Sequence, residues 1–180
     1  MKTIHLTLAG LGLIAGLLIL AVSLVSVNQV ISYEGTQASC RKFYLGEQVL
    51  PDHLLYPVVA GLDRGLLILS PNSKKTKLRV NYGWIRYDYA VSLLKKGNPG
   101  LALSSLTKSQ KYFYWAAYHL LEEQVPSAQL EYLINNLELH LQAADMLAQE
   151  FTDSQRVTIT QMNEQNRVLL SQLQEKKAAQ

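Results

Sequence analysis

Four histidines and the carboxylates near them are the side chains best suited to acid–base or metal chemistry. The histidines are His5, His53, His119 and His140. Glu122 follows His119 by three residues, and Glu138 precedes His140 by two. Neither spacing is that of HExxH or another zinc motif. Glu122 and Glu123 are consecutive, so they point to different sides of a helix and form a poor acid–base pair. We therefore predict no metal and no cofactor.

Motifs for nucleophilic or phosphate chemistry are missing from the sequence. No GxSxG, Walker or dinucleotide-binding pattern occurs. A single cysteine, Cys40, excludes an intramolecular disulfide framework and a cysteine-based zinc site. We predict that the protein is not an enzyme. A hydrolase whose catalytic residues form no local motif stays as the third of three functional hypotheses.

Aromatic residues are concentrated in one segment, KYFYWAAYHLL, residues 111–121. Five of its eleven residues are aromatic, against 8% of the whole chain. Successive residues of a helix are about 100° apart, so residues 112–115 point in four directions. A helix that is apolar nearly all round is buried on several sides. We interpret these rings as the centre of a helical bundle. A stacking groove for a peptide or sugar and a membrane-surface belt are the alternatives.

Charge is distributed unevenly along the chain. Residues 41–111 carry 12 Lys and Arg against 4 Asp and Glu, whereas residues 112–180 carry 4 against 9. The basic run KKTKLR, residues 74–79, could contact phosphates or anionic lipid head groups. A run this short at the start of a helix is more typical of a solvated face, so no nucleic acid partner is predicted.

An uncharged apolar segment occupies residues 6–27. Its 22 residues exceed the roughly 20 that cross the hydrocarbon core of a bilayer as a helix. The run is longer than the core of a signal peptide, so we predict an uncleaved single-pass anchor in the cell membrane, with a cleaved signal peptide as the alternative. Lys2 favours a cytoplasmic N-terminus and an extracytoplasmic C-terminal domain, while Arg41 and Lys42 argue mildly against that orientation.

Two glycines of this segment form a GxxxG pair. Gly12 and Gly16 would share one helix face and allow a second membrane helix to approach closely. We predict this face as a site of membrane-helix packing.

The rest of the chain has the periodicity of successive helices. Apolar and aromatic positions recur at helical spacing, and Pro, Gly and Asn lie between the repeats. The predicted helices are 58–69, 73–96, 99–124, one from about 126 to 151, and 153–177. The predicted fold is all-α, with a transmembrane helix before a bundle of four to five helices. The predicted domains are 1–32 (anchor or signal peptide), 33–49 (linker), 50–151 (helical bundle) and 152–180 (an extended C-terminal helix).

The last predicted helix carries an apolar seam at heptad spacing. The seam consists of Ile159, Met162, Asn166, Leu169 and Leu173. Two heptads are too few to define a coiled coil. We expect the seam to remain available to a partner or a second copy, so that deleting residues 153–180 lowers association while the rest stays helical.

A short turn should place the aromatic residues of two helices side by side. The segment YGWIRYDY, residues 82–89, lies in the helix before the GNPG turn. Two antiparallel helices joined there would bring Tyr82 and Trp84 opposite residues 112–118. Rings of this size bury large areas, so we expect them to hold the hairpin together.

Residues 49–124 contain the opening segment VLPDHLLYPV and the hairpin SPNSKKTKLRVNYGWIRYDYAVSLLKKGN. In these two segments the chain has a resemblance to a bacterial domain-of-unknown-function family of membrane-anchored helical domains. Its matching positions are Pro51, Leu55, Tyr56, Pro57, Lys77, Leu78, Arg86, Ala90, Leu94 and Gly97. It implies an extracytoplasmic helical domain with no assigned activity. The Tyr and Trp residues depart from the Leu, Ala and Glu usual in such hairpins.

The segment YAVSLLKKGNPGLALSSL is similar to one tetratricopeptide hairpin. Ala90, Leu93, Gly97, Ala102 and Leu106 fall near the expected small and large positions. The usual Pro at the end of the hairpin is missing, and no second copy follows at a period of about 34 residues.

The favoured functional hypothesis is a membrane-anchored extracytoplasmic helical protein for protein–protein interaction or scaffolding, with a protein partner or its own copies. The predicted interaction surface comprises Tyr82, Trp84, Tyr112, Trp115, Tyr118, Ile159, Met162, Leu169 and Leu173. The alternative is an extracytoplasmic ligand-binding or sensory domain with the Tyr/Trp cluster as its pocket. That pocket would need polar groups such as Arg86, Asp88 or His119 beside the rings.

Overall fold

A computed structural model describes residues 28–33, 36–41 and 49–180, which fall into two compact units divided after Val49. In the first unit the backbone of β1 (Asn28–Tyr33) pairs antiparallel with β2 (Thr36–Arg41), in a register that sets Asn28 opposite Arg41. The anchor predicted at residues 6–27, with Gly12 and Gly16, lies outside the described residues.

The second unit, Leu50–Gln180, is all-α, which confirms the predicted fold class for this part of the chain. Its five helices are α1 (Tyr56–Leu69), α2 (Asn72–Lys95), α3 (Pro99–Glu122), α4 (Ser127–Ala148) and α5 (Asp153–Ala178). None of the helices in the described residues is both long and apolar enough to cross a membrane.

Local sequence signals account for the turn between α2 and α3. Gly97 has a φ of +75°, and its N–H donates to Leu94 O at 2.9 Å. The N–H of Asn98 donates to Leu93 O at 2.9 Å, which completes a Schellman motif. The Asn98 side chain then accepts from the N–H of Leu101 and caps α3. The turn GNPG therefore joins two antiparallel helices as predicted.

The core lies between α2 and α3 and is closed by α4 and α5. Its buried side chains include Tyr82, Trp84, Tyr87, Tyr89, Leu106, Phe113, Leu120, Leu133, Leu137, Ile159 and Leu173. Gly83 is where the two helices of the hairpin approach closely. A Cβ on Gly83 would lie 2.6 Å from Cε2 of Phe113, so this contact requires a residue without a side chain.

The predicted ring packing is correct for α2 and only partly correct for α3. The ring centroids of Tyr82 and Tyr112 are 5.7 Å apart, and those of Trp84 and Phe113 are 5.8 Å apart. Trp84 is 2% exposed, but Trp115 is 48% exposed and does not belong to the bundle centre. The reason is geometric: Phe113 faces α2, and residues two positions along a helix point away from each other.

The apolar seam of α5 packs inside the unit, which corrects the expectation that it remains available to a partner. Ile159, Leu169 and Leu173 are buried against α3 and α4. Asn166 is also buried, and its side-chain amide donates to Gln110 O at 3.2 Å. The polar position of the seam therefore fixes α5 against α3. Deleting residues 153–180 would remove part of the core rather than an accessory helix.

Candidate ligand-binding site

A pocket of about 420 Å³ opens between α1, α2 and α3. Its lining combines basic and aromatic side chains and contains no acidic residue. The lining residues are Tyr56, Ala60, Arg64, Leu67, Arg86, Lys108, Lys111, Tyr112 and Trp115. The volume lies within the range of small-molecule sites, about 300–1,000 Å³.

Helical spacing explains why these residues converge. Tyr56, Ala60 and Arg64 are four residues apart and form one face of α1. Lys108, Lys111, Tyr112 and Trp115 follow the same rule on α3. The two faces form the walls of the pocket, and Arg86 of α2 contributes the remaining basic side chain.

Arg86 is the best-fixed side chain of the pocket. Its guanidinium is buried, with Nη2 3.5 Å from Oδ2 of Asp63 on α1. Nη1 donates to the Tyr56 hydroxyl at 2.7 Å. The guanidinium carbon lies 5.2 Å and 5.1 Å from the ring centroids of Tyr56 and Tyr89. The ion pair, the hydrogen bond and two cation–π contacts hold this group in place and attach α1 to α2.

The Tyr56 hydroxyl stays protonated at the rim of this centre. Burial raises the pKa of Tyr56, and the neighbouring positive charge of Arg86 opposes that shift only in part. Since the hydroxyl accepts from Arg86, its own hydrogen remains available to donate. Tyr56 can therefore donate to an acceptor in the pocket at any pH near neutrality.

Three further cations line the opening. Arg64, Lys108 and Lys111 are exposed, and in the described residues 49–180 none of them forms an ion pair with a carboxylate. Asp63, which pairs with Arg86, does not line the pocket. The pocket therefore has an excess of positive charge beside aromatic surface, which is suited to an anion carrying an apolar or flat body.

A second group of rings lies along α3 next to the pocket. Trp115 is 5.8 Å, centroid to centroid, from both Tyr118 and His119, and the rings of Tyr114 and Tyr118 are stacked. Tyr118 is 38% exposed, and its hydrogen bond to Glu122 raises its pKa. These rings form an exposed aromatic patch, defined here as Tyr114, Trp115, Tyr118 and His119.

A serine–histidine pair lies elsewhere in the unit, in its interior. Ser109 Oγ is 2.7 Å from Nε2 of His140, and both side chains are completely buried. The ring of Phe113 stacks on the imidazole at 4.1 Å between centroids, and Trp84 and Tyr87 contact it edge-on. A substrate has no access to this hydroxyl, so the pair holds α2, α3 and α4 together rather than forming a nucleophile and base.

Hydrogen bonding and burial define the tautomer and the charge of His140. Ser109 Oγ donates to Gly83 O at 2.6 Å, so the hydroxyl accepts from Nε2–H of the imidazole. Nδ1 then has no partner among the described atoms. Burial lowers the pKa of His140 to about 3, and the ring is neutral at physiological pH.

The structure separates the residues that the sequence grouped as an interaction surface. Tyr82, Trp84, Ile159, Leu169 and Leu173 are buried, so they cannot form a surface of the folded unit, and this expectation is corrected. Trp115 and Tyr118 are exposed, while Tyr112 and Met162 are partly exposed. Of the polar groups expected beside the rings, Arg86 lines the pocket, and Asp88 and His119 do not.

Sequence reasoning missed the basic residues of α3 and α1. Lys108 and Lys111 precede Trp115 by seven and four residues, on one helix face, which was a detectable signal. Arg64 and Tyr56 gave no such signal, because their relation to α3 depends on how α1 packs. In the described part of the chain no group of three or more His, Cys, Asp or Glu residues could hold a metal ion.

Comparison with family models, curated proteins and solved structures found no match to the chain. The resemblances to a bacterial helical-domain family and to a tetratricopeptide hairpin stay predictions.

Proposed function

We propose that residues 50–180 form a ligand-binding or sensory domain for an organic anion, on a chain anchored in the cell membrane by residues 6–27. The observation that supports this function is the pocket in which Arg64, Arg86, Lys108 and Lys111 surround aromatic walls. The preferred ligand is a phosphate or carboxylate attached to a flat or apolar body. Its charged group pairs with the cations, and its body packs against Tyr112 and Trp115.

The test uses 1-naphthyl phosphate and uncharged 1-naphthol as matched probes, titrated against the full chain by calorimetry and Trp fluorescence. We expect the phosphate to bind saturably and the naphthol at least about tenfold more weakly, because a charge-assisted hydrogen bond contributes about 1.5–3 kcal/mol. The affinity for the phosphate should fall as salt is raised, since the lysines are exposed to solvent.

The variant for this test is Lys108→Gln combined with Lys111→Gln. Both side chains are exposed, so the fold should be retained. We expect a loss of about tenfold or more in affinity for naphthyl phosphate. Lys95→Gln combined with Lys96→Gln is the control, because it removes the same charge at the far end of α2. Equal affinity for the two probes, or equal losses in the two double variants, would contradict the proposal.

A second candidate function is the scaffold for protein partners or self-association. The observation that favours it is the exposed aromatic patch, since Trp and Tyr are enriched at the energetic centres of protein interfaces. Tyr118 belongs to this patch and does not line the pocket. If Tyr118→Ala lowers chemical cross-linking of the full chain and leaves naphthyl phosphate binding unchanged, the patch acts as a partner surface. Unchanged cross-linking would contradict that function.

A further inference from the structure

Helix α1 presents an apolar face that no other part of the unit covers. Only Val59 and Asp63 of its 14 residues are buried. Val58, Leu62, Leu66 and Leu69 are exposed, Leu69 by 85%, and they recur at intervals of three or four residues. These four residues are called the α1 apolar face. A continuous exposed stripe of large aliphatic side chains marks an interaction surface.

The composition of α1 indicates the chemistry of what covers this face. The only charged residues of the helix are Asp63, which is buried in the pair with Arg86, and Arg64, which lies toward the pocket. The α1 apolar face therefore has no charged residue that could fix the register of a protein partner. The hydrocarbon of a bilayer is fluid and can cover apolar side chains without any defined pairing of residues. Arg64, at the edge of the face, can extend its guanidinium toward water or a phosphate.

Length and area distinguish a bilayer from a second copy of the chain. At 14 residues α1 is about 21 Å long, too short to cross a bilayer but typical of a helix lying in its surface. Two such helices packed face to face would bury only a few hundred Å² each, below the roughly 800 Å² per partner of a stable interface.

Two features of the sequence support an anionic bilayer as the occupant. The uncharged segment 6–27 is separated from α1 by 28 residues, Asn28–Leu55. The basic run of residues 74–79 follows within ten residues of the end of α1. Each Lys or Arg near the surface of an anionic leaflet adds to the binding of a helix inserted there.

We propose that α1 is an interfacial helix, with its apolar face inserted into the head-group region of a bilayer that contains anionic lipid. The proposal does not depend on the function of the pocket, because the residues of the α1 apolar face do not line it. The bilayer covers the aliphatic side chains that the bundle leaves in water, and Lys74 and Lys75 of the basic run, at the start of α2, contact the lipid phosphates.

The test measures the depth of two labelled sites. The full chain with Cys40→Ser is placed in vesicles of phosphatidylcholine and phosphatidylglycerol that contain a nitroxide-bearing lipid. A polarity-sensitive fluorophore is attached at Leu62→Cys, or at Val168→Cys on α5 as the matched exposed apolar control. We expect a blue shift and strong quenching by the lipid nitroxide at position 62 and neither at position 168. If the label at position 62 emits as it does in water, the proposal is overturned. It is also overturned if the label emits as in an apolar environment without quenching by the lipid nitroxide, and the chains cross-link to each other, because a second copy then covers the face.

A variant tests the apolar face directly. Val58→Glu combined with Leu66→Glu replaces exposed side chains, so the helical circular dichroism should be unchanged. We expect lipid quenching of the label at position 62 to fall several-fold in this variant. Met146→Glu combined with Val157→Glu is the control, which alters two exposed apolar residues on other helices and should leave the quenching intact. In vesicles of phosphatidylcholine alone, quenching of the label at position 62 should be weaker than in vesicles that also contain phosphatidylglycerol. Equal quenching in the two kinds of vesicle would overturn the role of the basic run.

Discussion

Two buried polar groups, His140 and Arg86, lie on different sides of α2 and are stabilised in different ways. Trp84 and Arg86 are two residues apart on α2 and point to nearly opposite sides. The Trp84 side leads to His140, a neutral group enclosed by rings and hydrogen-bonded to Ser109. The Arg86 side leads to a charged group paired with Asp63, beside an open pocket.

The difference separates a structural centre from a binding centre. At His140, burial favours the uncharged form and closes all access, so the polar atoms serve packing alone. At Arg86, the charge is retained in the interior because an ion pair, a hydrogen bond and two rings stabilise it. A charge that is held in this way can present a fixed donor to a ligand with little reorganisation.

The first prediction breaks the charged centre. Arg86→Met leaves Asp63 buried without the guanidinium, and loss of one partner of a buried ion pair costs about 3–5 kcal/mol. We expect the loss to fall first on α1, which has only two buried residues. Amide hydrogen exchange read by mass spectrometry should show α1 losing protection while α2–α5 retain most of theirs.

Two controls define this result. The double variant Arg86→Met with Asp63→Leu removes both charges and should recover most of the lost stability. Lys96→Met breaks the exposed pair with Asp52, whose atoms are 3.3 Å apart, and should cost less than about 1 kcal/mol. Full protection of α1 in Arg86→Met would show that the ion pair does not attach this helix.

The second prediction concerns the enclosed centre. Gly83→Ala would place a Cβ 2.6 Å from the ring of Phe113. That ring is buried and stacked on His140, so it cannot shift without disturbing this packing. We expect a loss of about 1–3 kcal/mol in the free energy of unfolding, measured by chemical denaturation. Gly65→Ala is the matched control, because a Cβ there meets nothing within 4 Å. A Gly83→Ala protein as stable as the wild type would contradict the close packing of the hairpin.

The helices and their ends could be predicted from the sequence because the signals are local. The 3.6-residue period identified all five helices of the described unit, and Asn98 and Gly97 marked a turn through their own backbone preferences. The capping box at Thr152 is also present, with the Gln155 side chain accepting from the Thr152 N–H at 3.3 Å. Each signal involves residues within one or two turns of helix.

The burial of individual rings and the pocket could not be predicted, because they depend on packing between helices. α3 is apolar in several directions, so its pattern does not indicate that Phe113 is buried and Trp115 exposed. The seam of α5 shows an apolar face but not whether that face packs within the chain. The pocket joins Tyr56 to Trp115, 59 residues apart, across an arrangement of α1 that no sequence period determines.

The third prediction concerns how the free energy of unfolding depends on pH through His140. Since burial lowers the pKa of His140 to about 3 from 6.5, the unfolded chain binds one more proton than the folded chain between these values. The stability contributed by the neutral imidazole is fully present above pH 6.5 and is lost as pH falls toward 3, by at most about 1.4 kcal/mol per pH unit. Urea denaturation at intervals between pH 7 and pH 4 measures this slope.

A histidine variant assigns the slope to the enclosed centre. His140→Gln cannot titrate and should reduce the slope between pH 6.5 and 5, where most carboxylates are already ionised. Should this variant show the wild-type slope, the acid sensitivity would originate elsewhere in the chain. The sealed environment of His140 would then need revision, whereas the Arg86 centre would be unaffected.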